Sequence, residues 1–83
     1  MIKVLRYTAS YCGPCQMLKP IFEQLQSENP SVEFQTIDID NENPHSIRAV
    51  PTIIIFKNNI EQYRVTGLRS KHFYQDYINL LLK

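Results

Sequence analysis

Apolar and polar positions alternate along the chain in stretches that predict one strand followed by one helix near the start. Residues Ile2 to Thr8 are mostly β-branched, aliphatic or aromatic, which is typical of a buried strand. From Gly13 to Gln26 a helix is predicted, because apolar residues recur three or four positions apart. Pro14 suits the first turn of this helix, and Pro20 is expected to kink the helix without ending it. The apolar stripe of the helix consists of Met17, Leu18, Ile21, Phe22 and Leu25.

The remaining pattern predicts three more strands, a short helical turn and a closing helix. The strands are expected at residues 32–39, 52–57 and 60–66. The helical turn is expected at 45–48. Asn58-Asn59 predicts a tight hairpin, because asparagine tolerates positive φ better than other non-glycine residues. Ser70 is predicted to cap the closing helix, whose inner face is expected at Phe73, Tyr77, Leu80 and Leu81.

This order of elements, β-α-β-α-β-β-α, predicts an α/β fold with a mixed four-stranded sheet flanked by helices. The strand-helix-strand unit requires a right-handed parallel crossover, whereas the closing hairpin must be antiparallel. We expect residues 1–83 to form a single domain, because a chain of 83 residues has room for about one hydrophobic core.

Charge and apolar content exclude several classes of protein. Nine Lys and Arg residues face eight Asp and Glu residues, a balance that argues against a basic nucleic-acid-binding surface. No apolar run approaches the roughly 18 residues of a membrane span. The first residues lack a signal-peptide layout, so a cytoplasmic location is expected. No metal site is expected, because His45 and His72 show no paired spacing with the cysteines.

The two cysteines carry the candidate chemistry. Cys12-Gly13-Pro14-Cys15 lies where the first strand meets the first helix. A helix N-terminus stabilises a thiolate through its free N–H groups and its positive dipole end. In a helix that starts at Gly13, Cys12 is predicted to occupy the cap position and to receive that field, and Cys15 lies one turn inside. Two unequal sulfurs within bonding distance are what disulfide exchange requires. The alternative is a pair of buried cysteines that act only as small apolar residues.

Three segments resemble the thioredoxin family. Residues 11–20 resemble its active-site segment, including the Gly-Pro pair between the cysteines and a proline five residues after the second cysteine. Residues 50–59 are similar to the stretch around the family's cis-proline and hairpin, and residues 65–68 to the loop that holds its substrate-groove glycine. The resemblance extends from residue 3 to 82 and implies a thioredoxin-like fold. The extra N-terminal strand and helix of full-length thioredoxins are missing, so the chain resembles a minimal form of glutaredoxin size.

The resemblance implies roles for individual residues. Cys12 would be the nucleophile and Cys15 the resolving thiol, and the two would form the redox disulfide. Pro51 would have a cis bond and lie beside the sulfurs, although an ordinary trans proline at a strand start is the alternative. The backbone of Val50 would pair with an extended substrate. The residues implied to contact substrate are Tyr11, Gly13, Pro14, Val50, Pro51 and Gly67.

Two of these substrate contacts also have simpler explanations. Gly67 is equally consistent with an ordinary turn glycine, and Tyr11, where the family usually has tryptophan, with an exposed loop aromatic.

The chain departs from the family at a buried charged pair. Arg6 occupies the position of an aspartate that usually lies six residues before the first cysteine, and Thr36 aligns with the accompanying lysine. Losing both together is reasonable, because one charge alone would be costly to bury. Two orientations of Arg6 stay open: the guanidinium points outward past an apolar stem, or it lies close enough to the sulfurs to favour the thiolate. Gln16 also replaces a frequent lysine.

The function implied by the resemblance is that of an enzyme, a dithiol–disulfide oxidoreductase that reduces protein disulfides and serves electron transport and cell redox homeostasis. We expect no bound cofactor, with electrons supplied by a thioredoxin reductase that uses flavin and NADPH. A monomer is expected, with neither nucleic acid nor membrane as a partner. The alternatives are a glutaredoxin-like or ribonucleotide-reductase electron donor, and a non-enzymatic accessory subunit of the same fold.

Overall fold

The computed structural model describes residues 1–83 as four strands and two helices. In chain order the elements are β1 (Ile2–Thr8), α1 (Gly13–Glu28), β2 (Glu33–Asp38), β3 (Thr52–Lys57), β4 (Ile60–Thr66) and α2 (Lys71–Leu82). The predicted bounds of α1 and of all four strands lie within two residues of these. Pro20 lies inside α1, which continues past it as predicted.

The four strands form one mixed sheet in the order β2-β1-β3-β4. Strands β1 and β2 are parallel and are connected through α1, whereas β3 is antiparallel to both β1 and β4. The β3–β4 hairpin turns at Asn58 and Asn59, which have φ values of 54° and 67°. The predicted α/β class, the mixed four-stranded sheet and the asparagine hairpin are therefore confirmed.

Alternation along the strands divides the core between the two faces of the sheet, because successive side chains of a strand point to opposite sides. One face packs against both helices, and Val4 and Ile55 are buried there. The other face buries Tyr7 and Ile54, and Ile47 from the loop between β2 and β3 packs against it. The sheet is thus covered by helices on one side and by a loop on the other.

The helical turn predicted at residues 45–48 is wrong, because this segment is a loop. The Asn43 side chain takes the place of helical hydrogen bonds: its Oδ1 accepts from the Ile47 N–H at 2.7 Å, and its Nδ2 donates to the Ile47 carbonyl at 2.8 Å. Ser46 has a φ of 52°, outside the helical region. Asparagine side chains compete in this way with regular backbone hydrogen bonding.

The predicted inner face of α2 is confirmed at Leu81 and in part at Tyr77, which packs against the core, but it is wrong at Phe73 and Leu80. The Ser70 cap is confirmed by a hydrogen bond from the Phe73 N–H to Ser70 Oγ. The buried residues of α2 are Tyr74, Ile78 and Leu81, whereas Leu80 is 53% exposed. The sequence of α2 is apolar on several sides, so more than one stripe satisfied the helical spacing. On α1 only one stripe residue, Met17, was wrongly expected inside, since it is 62% exposed.

Tyr74 anchors the loop that connects β4 to α2. Its side chain is fully buried, and its hydroxyl donates to the Gly67 carbonyl at 3.2 Å and accepts from the Arg69 N–H at 3.1 Å. Burial raises the pKa of this phenol, against a smaller opposing effect of the Arg69 backbone hydrogen bond. A single phenol therefore positions the loop that holds Gly67.

We predict that Tyr74→Phe lowers the free energy of unfolding at neutral pH by about 1–3 kcal/mol, because it leaves two loop backbone groups without a partner. The raised pKa means that the folded state favours the neutral phenol. The stability this contributes is fully present below the unfolded value of about 10 and is lost as pH rises through the folded pKa. The variant should therefore lose less stability than the unmodified protein above about pH 10.

Urea unfolding at neutral and alkaline pH measures both effects. Tyr11→Phe is the matched control, since Tyr11 is 74% exposed. It should change the free energy of unfolding neither at neutral nor at alkaline pH. Equal stability of Tyr74→Phe and the unmodified protein at neutral pH would contradict the anchoring role.

Candidate active site

The two cysteines lie at the N-terminus of α1 and are joined by a disulfide, with their Cα atoms 5.2 Å apart. Cys12 is the N-cap residue, with extended backbone angles, and its Sγ accepts a hydrogen bond from the Cys15 N–H at 3.1 Å. The N–H of Cys12 donates to the Ala9 carbonyl at 3.2 Å. The cap position predicted for Cys12 is therefore present, and one of the free N–H groups of the helix points at its sulfur.

The surroundings of the two sulfurs are unequal. Cys15 is 1% exposed and Cys12 is 8% exposed. Both pack in a small apolar cluster with Ala9, against which Ile39 and Val50 also pack. The residues between and before them, Gly13, Pro14 and Tyr11, are exposed. Cys12 is thus the more exposed residue of the pair, although both cysteines are buried.

The segment around Pro51 closes the site on one side. The Val50-Pro51 peptide bond is cis, as the family resemblance implied. Val50 is half-buried and packs against the cysteine cluster, and Pro51 is fully buried. Gly67 donates its N–H to the Pro51 carbonyl at 2.8 Å and has a φ of +94°, a conformation that favours glycine. The loop that holds Gly67 is therefore bonded to the cis-proline segment, and that segment packs beside the disulfide through Val50.

Arg6 does not adopt the outward orientation considered from the sequence. It is 8% exposed, so it does not extend into solvent. Its Nε donates to Thr36 Oγ1 at 3.2 Å, and its guanidinium carbon lies 5.2 Å from the centre of the Phe22 ring. Burial lowers the pKa of Arg6, and the negative charge of Glu23 partly opposes this effect. The guanidinium is held by a threonine and an aromatic ring where the family has a charged pair.

One contact that helps to place Val50 was missed from the sequence. The hydroxyl of buried Tyr7 is hydrogen-bonded to His45 Nδ1, and the imidazole lies 5.7 Å from the Phe56 ring. The two residues are 38 positions apart, and no local pattern relates them. Together with the Asn43 contacts, this bond fastens the loop that ends at Val50.

Metal-ligating side chains do not gather in the structure, since no group of three His, Cys, Asp or Glu residues is arranged to hold an ion. Neither helix has the length and apolar character needed to cross a membrane.

A disulfide at a helix N-terminus, packed beside a cis-proline segment, defines the site of a thiol–disulfide oxidoreductase. The family model for thioredoxin matches residues 1–79, and the chain belongs to the thioredoxin family. Its chemistry is the dithiol–disulfide exchange of that family, and Cys12 and Cys15 are the only cysteines available to perform it. Protein disulfides as substrates and reductases as partners follow from this membership in general terms.

Individual relatives agree with this assignment. The chain is 43% identical over 77 residues to the thioredoxin of Chlamydia pneumoniae, covering 88% of this chain and 76% of that protein. It is 38% identical over 79 residues to the thioredoxin of Rickettsia felis, with 88% and 74% coverage. Among solved structures, a mutant thioredoxin from Halobacterium salinarum superposes with a TM-score of 0.88 at 31% identity, over 99% of this chain and 75% of the other. The structure of Fasciola hepatica thioredoxin superposes with a TM-score of 0.86 at 30% identity, over 96% of this chain and 80% of the other.

The packing of Arg6 leads to a prediction about stability. Arg6→Met keeps an unbranched apolar side chain at this buried position and removes a buried charge, so we expect the free energy of unfolding to stay within about 1 kcal/mol of the unmodified protein's. Arg6→Ala also removes the stem and should cost about 1–3 kcal/mol. Urea unfolding compares the two variants directly. If Arg6→Met were as destabilised as Arg6→Ala, the charge itself would be required and this description of the contact would be wrong.

Proposed function

We propose that the chain reduces disulfides of other proteins, with Cys12 as nucleophile and Cys15 as resolving thiol. The observation that carries this assignment is the capping geometry of Cys12. Its sulfur accepts a hydrogen bond from the Cys15 N–H at the positive end of α1, and Cys12 is the more exposed residue of the pair. Both features favour a thiolate on Cys12, because the helix N-terminus stabilises negative charge there.

The reaction proceeds by two thiol–disulfide exchanges. The Cys12 thiolate attacks one sulfur of the substrate disulfide, forms a mixed disulfide and releases the first substrate thiolate, which takes up a proton. Cys15 then loses its proton and attacks Cys12 Sγ, releasing the second substrate thiolate and forming the Cys12–Cys15 disulfide. One disulfide is broken and one is formed, and two electrons pass from the chain to the substrate.

The segments around the disulfide would bind the substrate as an extended strand. Val50 packs against the cysteine cluster, and its backbone would pair with such a strand. Pro51 has no N–H, so it adds no competing donor next to the sulfurs. The exposed residues Tyr11, Gly13 and Pro14 would form the rim on the helix side. Gly67, bonded to the Pro51 carbonyl, would form the opposite rim.

The disulfide form must be recharged for turnover. We propose that the chain binds no cofactor and receives electrons from a flavin- and NADPH-dependent thioredoxin reductase, acting as a monomer in the cytoplasm. The similarity to proteins named thioredoxin supports this source. Glutathione is the alternative source of electrons, and an experiment described below distinguishes it from the reductase.

Cysteine variants test the assignment of roles. Cys15→Ser should accumulate a mixed disulfide with a cystine-containing protein such as insulin, because the attacking thiol is present and the resolving thiol is not. Cys12→Ser should form little adduct, since Cys15 is buried. Non-reducing electrophoresis and mass spectrometry identify the linked cysteine. Equal trapping by both variants would contradict the assignment.

The electron source is tested with the same substrate. Insulin reduction should be sustained by NADPH with thioredoxin reductase, and at most weakly by NADPH with glutathione and glutathione reductase. Consumption of NADPH measures both reactions, and Cys12→Ser is the inactive control for each. Turnover driven only by glutathione would overturn the proposed reductase.

The apolar cluster around Cys15 predicts how resolution depends on pH. Arg6 stands where the family usually has a buried aspartate, and hydrophobic residues pack on the two cysteines, so we expect Cys15 to lose its proton to water or to the departing sulfur. The rate at which substrate is released from the mixed disulfide should therefore increase as the pH rises toward the pKa of a free thiol, about 8.5. Rapid mixing measures this release. A rate that does not change between about pH 6 and 8 would show that a base has been overlooked.

A further inference from the structure

A cavity of about 270 Å³ adjoins the cis-proline segment, on the side of the loop that precedes it. Ala49 and Thr52, which line it, flank Val50-Pro51 in the sequence, and Thr66 lines it from β4. The cavity therefore lies next to the backbone that we propose pairs with a substrate strand. A side chain of a substrate strand bound to that backbone would extend toward it.

The charged groups of this cavity are both cationic. Arg48 and Arg64 line it, and no Asp or Glu is among the lining residues. Arg48 is exposed and has neither an ion pair nor a hydrogen-bond partner for its guanidinium. Two guanidinium groups at one cavity provide a strong set of donors for a carboxylate, which arginine binds in a planar, two-pronged geometry.

Glu61 holds Arg64 in place but occupies only some of its N–H donors. Its Nε and Nη2 donate to the two carboxylate oxygens of Glu61 at 2.9 and 2.8 Å. A guanidinium has five N–H donors, so three of them stay free. Glu61 also raises the pKa of Arg64, so the positive charge is secure. The hydroxyls of Ser46 and Thr66 make no side-chain hydrogen bond and add further donors at the same cavity.

We propose that this cavity binds the carboxylate of an acidic side chain that lies near the reactive cystine in a protein substrate. The proposal rests on the disulfide-reductase function and names its preferred substrates: proteins with an Asp or Glu close to the disulfide. Arg48 and Arg64 would then be specificity-determining residues that act on substrate binding and leave the sulfur chemistry unchanged.

The test uses cystine peptides that differ by a single residue. One series places a Glu at each of three positions on either side of one half-cystine, and a second series has Gln at the same positions. For the unmodified protein we expect kcat/KM to be about fivefold higher for Glu than for Gln at one or more positions. The preference should disappear in Arg48→Gln and Arg64→Gln and should shrink with added salt. Lys83→Gln, which removes an exposed cation outside the cavity, should retain it.

The possible results separate the proposals. Equal kcat/KM for the Glu and Gln peptides at every position would overturn the carboxylate site, while their reduction would leave the disulfide-reductase function standing. Failure to reduce any peptide would overturn both. The carboxylates bound at the cavity could also be those of glutathione. A mixed disulfide between glutathione and a neutral peptide tests this source. If Arg48 and Arg64 mattered for that substrate alone, the acidic-substrate proposal would be wrong. Thermal unfolding of each arginine variant is the control for folding: the variants should unfold at the same temperature as the unmodified protein even though they lose the preference for Glu peptides.

Discussion

The hydrogen bond from the Cys15 N–H to Cys12 Sγ is the interaction on which the candidate site depends. It fixes the residue at which α1 begins and places one sulfur in the positive field of that helix. Because Cys15 lies in the first turn, the same geometry holds the second sulfur beneath the first, in apolar surroundings. The chemical difference between two identical side chains thus arises from where the helix begins.

The opposite wall of the site depends on a loop instead of a regular element. Between β2 and β3 the chain is fastened by Asn43, whose side chain bonds the Ile47 backbone, and by the bond between Tyr7 and His45. Both contacts hold the approach to Val50-Pro51, which packs on the cysteine cluster. A small protein has little apolar surface to bury, and here polar side-chain contacts do part of the positioning that a packed helix would otherwise provide.

The sequence was most informative where structure is local. The strands, α1 and the asparagine hairpin follow from periodicity and from the conformational preferences of single residues, and the Cys12-Gly13-Pro14-Cys15 motif marks the site. The cis bond at Pro51 was accessible only through family resemblance. Local reasoning failed for residues 45–48, where the Asn43 side chain displaces helical bonds. It also could not orient Arg6, because its partners Thr36 and Phe22 come from other elements and are set by sheet register and helix packing.

The central claim is that the start of α1 makes Cys12 the reactive sulfur, and alkylation of the reduced, folded protein tests it most directly. The rate of modification by iodoacetamide is followed across pH, with peptide mass spectrometry to assign each cysteine. The account predicts that Cys12 reacts first, with an apparent pKa below the free-thiol value of about 8.5, while Cys15 stays protected. Equal rates for the two thiols, or a Cys12 that titrates at or above that value, would contradict it.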